Sequence, residues 1–143
     1  CEYNPIFGDK FELTIPYEKN FDRSKKHFSK LFFGCSIRAL VSLMDKKKYC
    51  FLGTNTQGMN AFFVNKKKLE HFNEKIENKK IFPPLSREGR DENGKLNFNS
   101  LYENLKFIEN MEVYDIKEKN NKKISEFKNI YSEEWKNSFL WKF

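Results

Sequence analysis

SIRALVSLMDKKKYCFLGTNTQGMNAFFV, residues 36–64, is the most apolar stretch of the chain. Its first part carries apolar side chains at the spacing of one helix face, which predicts an amphipathic helix packed against a sheet. Those side chains are Ile37, Leu40, Val41 and Met44. The lysines that follow stand where the helix dipole favours positive charge, so we expect the helix to end there.

The second part of this stretch predicts two strands. Residues 49–53 form a nearly continuous apolar run, typical of a strand that is covered on both faces. Residues 61–64 form another run, and Gly58 in the polar turn between them can take a positive φ. The short connection permits only an antiparallel hairpin, because a parallel return needs a long crossover.

Composition predicts one globular domain with an aromatic core. The chain has 143 residues, 38% of them hydrophobic and 33% charged, and its 16 Phe, 6 Tyr and 2 Trp can bury a large area. Three cysteines without a CxxC motif favour free thiols in a reducing compartment, so we expect a cytoplasmic protein. No apolar run could span a membrane and no histidine stands in a metal motif, so we expect neither membrane nor metal as a partner.

The net charge of +7 has two explanations. A basic surface could bind nucleic acid or anionic lipid. Alternatively, the charge reflects a composition rich in Lys, Asn, Phe and Ile. The lysines are scattered at the ends of predicted elements and arginine is scarce, whereas nucleic-acid readout relies on arginine, so nucleic acid is not the expected partner.

Other elements follow from local signals. Residues 1–4 read as the carboxyl end of a strand that Pro5 stops. The remaining predicted elements are a short strand at 11–15, a polar loop at 17–30 with one helical turn, a helix at 69–76, a turn at Asn93-Gly94, a capped helix from Ser100 to about Glu109, a strand at 111–116, a charged loop at 117–123 and a last helix that begins at Ser132 and carries Trp135, Phe139 and Leu140.

Catalytic signatures are mostly absent from the sequence. It has no glycine-rich phosphate loop and no zinc motif, and Cys35, at a predicted helix start, is best explained as a buried structural thiol. Three polar clusters remain. Residues 2–4 end a strand, where ligands bind in open α/β sheets. Thr54, Asn55, Gln57 and Asn60 surround the hairpin turn, where turn chemistry explains them equally well. Arg87, Arg90 and Asp91 are explained most simply as solvated loop charges.

Several short motifs occur in order along residues 1–116. They are EYN and FG (2–4 and 7–8), IPY (15–17), FGCS (33–36), GTN (53–55), GMNAFFV (58–64), SRE with RD, NG and Leu96 (86–96), and VYD (113–115). In this order they resemble the C-terminal half of an S-adenosylmethionine-dependent methyltransferase-like family related to the FkbM type.

The resemblance implies an α/β fold, the C-terminal part of a Rossmann-like class I methyltransferase sheet. In that fold a helix precedes a closing antiparallel hairpin. Residues 1–66 would be the C-terminal portion of this domain and residues 67–143 a polar, partly helical extension. The residues that bind S-adenosylmethionine would lie upstream, so the chain would lack them, would need the missing N-terminal half as its partner and would be inactive alone.

The resemblance also implies an activity for the intact protein, namely methyl transfer to a hydroxyl of a small molecule or glycan. By chemistry Glu2 is the candidate general base, and Tyr3, Asn4, Asn55 and Asn60 are candidate substrate-binding residues on the same edge. A second hypothesis stays open, in which the chain is a non-enzymatic basic module that binds nucleic acid or a protein partner. It is supported by the charge of +7 and the aromatic content.

Overall fold

The computed structural model describes residues 1–71, 80–84 and 86–139, without the side chains of residues 71, 138 and 139. Over these residues it is a mixed α/β structure with four helices and three small antiparallel sheets. The elements are β1 (Leu13–Thr14), α1 (Arg23–Lys26), α2 (Ile37–Lys46), β2 (Tyr49–Thr54), β3 (Ala61–Asn65), β4 (Arg87–Arg90), β5 (Leu96–Asn99), α3 (Leu101–Ile108), β6 (Glu112–Asp115), β7 (Asn120–Lys123) and α4 (Glu133–Phe139).

The predicted helix and hairpin at residues 36–64 are confirmed. Helix α2 begins after Ser36, whose Oγ accepts from the backbone N of Ala39 at 3.2 Å. The same Oγ donates to the Phe11 carbonyl at 2.7 Å and accepts from the Leu13 backbone N at 3.1 Å, so the cap also joins α2 to β1. Strands β2 and β3 pair antiparallel, with a register shift between Phe51 and Gly53.

The first residues of the chain extend the β2–β3 sheet on the far side of β3. Glu2 and Asn60 are antiparallel bridge partners. The Ala61 backbone N donates to the Cys1 carbonyl at 2.8 Å, and the Tyr3 backbone N donates to the Met59 carbonyl at 3.2 Å. The chain around β3 is therefore hydrogen-bonded on both sides, to β2 and to residues 1–3. The extended pairing of residues 1–3 agrees with the strand end predicted for residues 1–4.

Two other sequence predictions are wrong. Residues 117–123, predicted as a charged loop, contain β7, which is held by backbone pairing with β6 despite its polar sequence. Strand β2 was expected to be covered on both faces, but its residues 49–52 are only half-buried in the part of the chain that the structure describes, where α2 and the 3-10 helix at residues 66–71 contact it. The turn predicted at Asn93-Gly94 connects β4 to β5, two strands that the sequence analysis did not predict.

Other local predictions are confirmed, or lie partly outside the described residues. The loop at residues 17–30 contains one helical turn, α1, as predicted, and Ser100 forms the expected capping box with Glu103. The helix predicted at 69–76 lies mostly outside the described residues, although 66–71 form a 3-10 helix. Trp135 on α4 is buried, whereas the side chains of Phe139 and Leu140 lie outside the described part.

One hydrophobic core is shared by both ends of the chain. Tyr3, Ile6 and Phe7 cluster with Leu101, Ile108, Val113, Tyr131 and Trp135. The Tyr131 hydroxyl donates to the Ile6 carbonyl at 3.0 Å, and β1 pairs with β6. Residues before and after position 66 therefore contribute to the same hydrophobic cluster.

The tight approach of Gly8 to Ile130 gives a test of this shared core. A Cβ on Gly8 would overlap the Ile130 carbonyl oxygen and lie 2.8 Å from its carbon, whereas nothing lies within 4 Å of a Cβ on Gly34. Both glycines have a positive φ, 70° and 67°. Gly34→Ala should lower the free energy of unfolding by roughly 1–2 kcal/mol from backbone strain. Gly8→Ala should lower it by roughly 1–3 kcal/mol more, from overpacking. Urea denaturation measures both changes, and equal losses would contradict the close approach.

Candidate functional site

The residues predicted to form a site come together where the first residues of the chain meet the β2–β3 turn. Glu2 is bridged to Asn60, and the Asn55 backbone N donates to the Asn60 carbonyl at 3.0 Å. Tyr3 and Asn4 continue from Glu2 into the interior, where both are buried. The five residues therefore share one edge of the small sheet, but they differ sharply in exposure.

Glu2 is the charged member of this group, and its side chain faces solvent. Its side chain is 53% exposed, and its Oε1 accepts from Arg87 Nη2 at 2.7 Å. No hydrogen bond to its Oε2 occurs among the residues that the structure describes. One carboxylate oxygen is thus anchored, and the other is available to a ligand.

Arg87 is the residue that sequence reasoning placed wrongly. Its side chain is only 12% exposed, so it is not a solvated loop charge. Its guanidinium lies 5.5 Å from the centre of the Phe33 ring, a cation–π distance, and Nη1 contacts the Met59 sulfur. Arg87 and Glu2 are 85 positions apart, and the resemblance of residues 86–91 to the family's tail was the only sequence signal that could have connected them.

Asn4 has a structural role. It is fully buried, its Nδ2 donates to the carbonyls of Leu31 at 2.8 Å and Phe33 at 2.9 Å, and its Oδ1 accepts from the Ile6 backbone N at 3.1 Å. These bonds cap the 3-10 helix Pro5–Phe7 and hold the loop that carries Phe33. Its amide therefore positions other residues and has no free atom to offer a substrate.

Asn55 shapes the hairpin turn. Its Oδ1 accepts from the backbone N of Met59 at 3.1 Å and of Asn60 at 3.0 Å, and its carbonyl accepts from the Gly58 backbone N at 2.9 Å. This is the turn chemistry that the sequence left open as an alternative. Asn60, by contrast, has an exposed side chain beside Glu2, so it remains available to a ligand.

Tyr3 lies beneath the same edge with its hydroxyl buried. Burial is the largest influence on the pKa of Tyr3 and raises it well above the ordinary value of 10.0. Thr54 is near the hydroxyl, but Thr54 Oγ1 accepts from the Phe82 backbone N at 2.8 Å, and Tyr3 Oη makes no hydrogen bond of good geometry among the described residues. Tyr3 is therefore neutral at physiological pH and supports the site from below.

A cleft opens beside Arg87, between the hairpin turn and the β4–β5 hairpin. Its volume is about 430 Å³, and it is lined by Thr56, Gln57, Met59, Pro84, Ser86, Arg87, Glu88 and Phe98. Arg87 both lines the cleft and holds Glu2. The cleft and the Glu2 carboxylate are therefore connected through the Arg87 side chain.

A larger cleft of about 550 Å³ lies elsewhere, along residues 14–18 and beside Tyr114 of β6. It is mainly apolar and contains none of the predicted site residues. Because charged and hydrogen-bonding side chains converge at Glu2 and Arg87, we take that region as the candidate site.

The described residues hold no group of three or more His, Cys, Asp or Glu side chains that could bind a metal ion.

Burial raises the pKa of the Cys35 thiol, which makes it a poor nucleophile and fits the structural role expected from the sequence. Among these residues there is also no helix with the length and apolar character needed to cross a bilayer.

Comparison with models of protein families, with curated proteins and with solved structures finds no match to this chain.

Replacing Asn4 and Asn60 separates a structural amide from an exposed one. Asn4→Ala should lower the free energy of unfolding by roughly 2–4 kcal/mol, because a cap is lost and two buried carbonyls are left unpaired. Asn60→Ala should change it by less than about 0.5 kcal/mol, since the side chain is exposed. Urea denaturation of both variants measures the difference, and similar losses would contradict the roles assigned here.

Tyr3 and Tyr131 should make the protein sensitive to alkali. Burial raises the pKa of both hydroxyls above 10.0, so the unfolded state loses these protons first. The stabilising difference is therefore complete below pH 10 and is lost as the pH rises towards the folded pKa values. Unfolding free energy should fall by about 1.4 kcal/mol per pH unit for each tyrosine above that point.

Tyr3→Phe should reduce this slope by about half without loss of stability at pH 7, because the Tyr3 hydroxyl makes no hydrogen bond of good geometry among the described residues. Tyr17→Phe is the control, since Tyr17 is exposed. Urea unfolding between pH 7 and pH 11.5 provides the measurement. An unchanged slope in Tyr3→Phe would contradict the raised pKa.

Proposed function

We propose that this chain is the acceptor-side part of an S-adenosylmethionine-dependent methyltransferase that acts on a hydroxyl group. The observation that supports this most directly is the position of Glu2. It stands at the end of an extended segment that pairs with a hairpin, and a helix precedes that hairpin. This order of elements agrees with the end of a class I methyltransferase sheet, and ligands of such sheets bind at the carboxyl ends of strands.

Glu2 would act as general base. Its free Oε2 can accept the hydroxyl proton of the acceptor while Arg87 holds Oε1 at 2.7 Å. The acceptor oxygen becomes the nucleophile as that proton leaves. When bound, S-adenosylmethionine supplies the electrophilic methyl group.

Arg87 and Phe33 would fix the direction of this carboxylate. Glu2 itself is half-exposed, but the guanidinium that holds it is mostly buried against Phe33 and Met59. Phe33 is placed in turn by the bond from Asn4 to its carbonyl. Positioning of this kind lowers the barrier because the base needs little rearrangement when the acceptor arrives.

The cofactor would be held by residues encoded upstream. The 143 residues contain no glycine-rich strand–loop–helix motif for S-adenosylmethionine, so its binding is assigned to the N-terminal half that the family resemblance implies. Calorimetry with S-adenosylmethionine tests this assignment. A protein that includes the upstream residues should bind it, whereas residues 1–143 should not. Failure of the longer protein to bind would remove the proposal.

Glu2→Gln should separate catalysis from cofactor binding. In the longer protein this variant should transfer methyl groups about 100-fold more slowly, the lower end of the range for general bases, with unchanged affinity for S-adenosylmethionine. The assay follows radiolabelled methyl transfer from S-adenosylmethionine to a panel of monosaccharides and oligosaccharides. Asp45→Asn is the matched control, because Asp45 is also an exposed carboxylate paired with a cation, Lys66, at 2.6 Å. Full activity of Glu2→Gln would exclude Glu2 as the base.

A further inference from the structure

The β4–β5 hairpin carries an inverted pattern of apolar and polar residues. The inner positions Asn97 and Asn99 are half-buried, whereas the outer positions Leu96 and Phe98 are 46% and 63% exposed. Hairpins with one solvated face usually place the apolar side chains inward. Leu96 and Phe98 therefore give the outer face of β5 an exposed apolar surface.

Phe98 faces a cleft and not open solvent alone. It is the cross-strand partner of Glu88, so the two side chains lie on the same face of the hairpin, and both line the cleft beside Arg87. Met59 and Pro84 add apolar surface, and Gln57 and Ser86 add uncharged hydrogen-bonding groups. The cleft thus combines one aromatic face with several donors and acceptors.

The charges along the cleft are balanced. Arg87 is paired with Glu2 at 2.7 Å, and Glu88 is paired with Arg90 at 3.0 Å. Lysine is absent from the described residues that line it. A phosphate or a nucleic-acid backbone would need unpaired cations, so this site favours a neutral ligand rich in hydroxyl groups.

We propose that this cleft binds a neutral carbohydrate, whose ring packs on Phe98 and whose hydroxyls bond to Gln57, Ser86 and Glu88. The axial C–H groups of a pyranose carry partial positive charge and suit the negative face of a phenyl ring. A volume of about 430 Å³ lies within the usual range of small-molecule sites. This inference rests on the proposed function for its catalytic meaning, since it makes the sugar the methyl acceptor.

Arg87 contacts both the proposed carbohydrate cleft and the candidate general base, Glu2. It lines the cleft and holds the carboxylate of Glu2, so a sugar in the cleft would contact the residue that positions Glu2. Phe98 is a binding residue in this arrangement, and Arg87 is a positioning residue.

Saturation-transfer NMR on the 143-residue chain tests the binding site without cofactor. The probes are the methyl glycosides of glucose, galactose, mannose and N-acetylglucosamine. At least one should receive saturation, and Phe98→Ala should weaken its binding about ten-fold or more. Leu96→Ala is the matched control, because Leu96 is an exposed apolar residue of the same strand and face that does not line the cleft. It should change the affinity less than two-fold.

Three results would overturn the inference. The first is that none of these glycosides receives saturation. The second is that Phe98→Ala and Leu96→Ala weaken glycoside binding equally. The third is that Phe98→Ala weakens the binding of a single-stranded oligonucleotide and leaves glycoside binding unchanged. These outcomes do not depend on the calorimetric test of S-adenosylmethionine binding. Cofactor binding by the longer protein without glycoside binding would remove the carbohydrate site and leave the methyltransferase in place, and the converse would leave a carbohydrate-binding domain.

Discussion

The buried amide of Asn4 is the interaction on which the site depends. With two donated hydrogen bonds and one accepted bond, it joins the first extended segment to the loop at residues 31–33 and caps the turn that follows. Because a buried amide is costly unless its bonds are made, the arrangement of the three segments that satisfies Asn4 is favoured over those that leave it unpaired. That arrangement places Phe33 under Arg87 and Glu2 beside it. The position of the exposed Glu2 carboxylate therefore depends on Asn4, a residue that is buried and out of reach of a ligand.

The strand β3 gives the same region its second support. It is paired with β2 on one side, and its first residue, Ala61, is bonded to Cys1 on the other side. The turn before it is closed by Asn55 and packed tightly at Gly58, where a Cβ would overlap the Phe82 carbonyl. Polar groups at this edge are thus carried by paired backbone rather than by a free loop, which suits a site that must hold its geometry.

The sequence predicted the elements whose signals are local. Apolar spacing and Ser36 were enough for α2, and Ser100 with Glu103 was enough for the start of α3, because propensity and capping act within a few residues. The strand β7 could not be predicted, since Asn120–Lys123 has poor strand propensity and is ordered by its pairing with β6. Glu2 and Asn60 were grouped correctly at one edge, but Arg87 was not, because its ion pair spans 85 positions and leaves no periodic trace. The structural role of Asn4 depends on contacts with residues 31 and 33, which the spacing of residues in the sequence does not reveal.

The shared core has a consequence for how the chain acquires its structure during synthesis. Tyr131 bonds to the carbonyl of Ile6, and the backbone N of Ser132 donates to Asp9 at 2.7 Å, contacts that span 125 and 123 positions. Contacts this distant in sequence slow folding, because a long loop must close before they form. Ile6 therefore leaves the ribosome long before Tyr131 is made. Until then the core around Ile6 lacks its C-terminal members and exposes apolar surface, which favours association with chaperones.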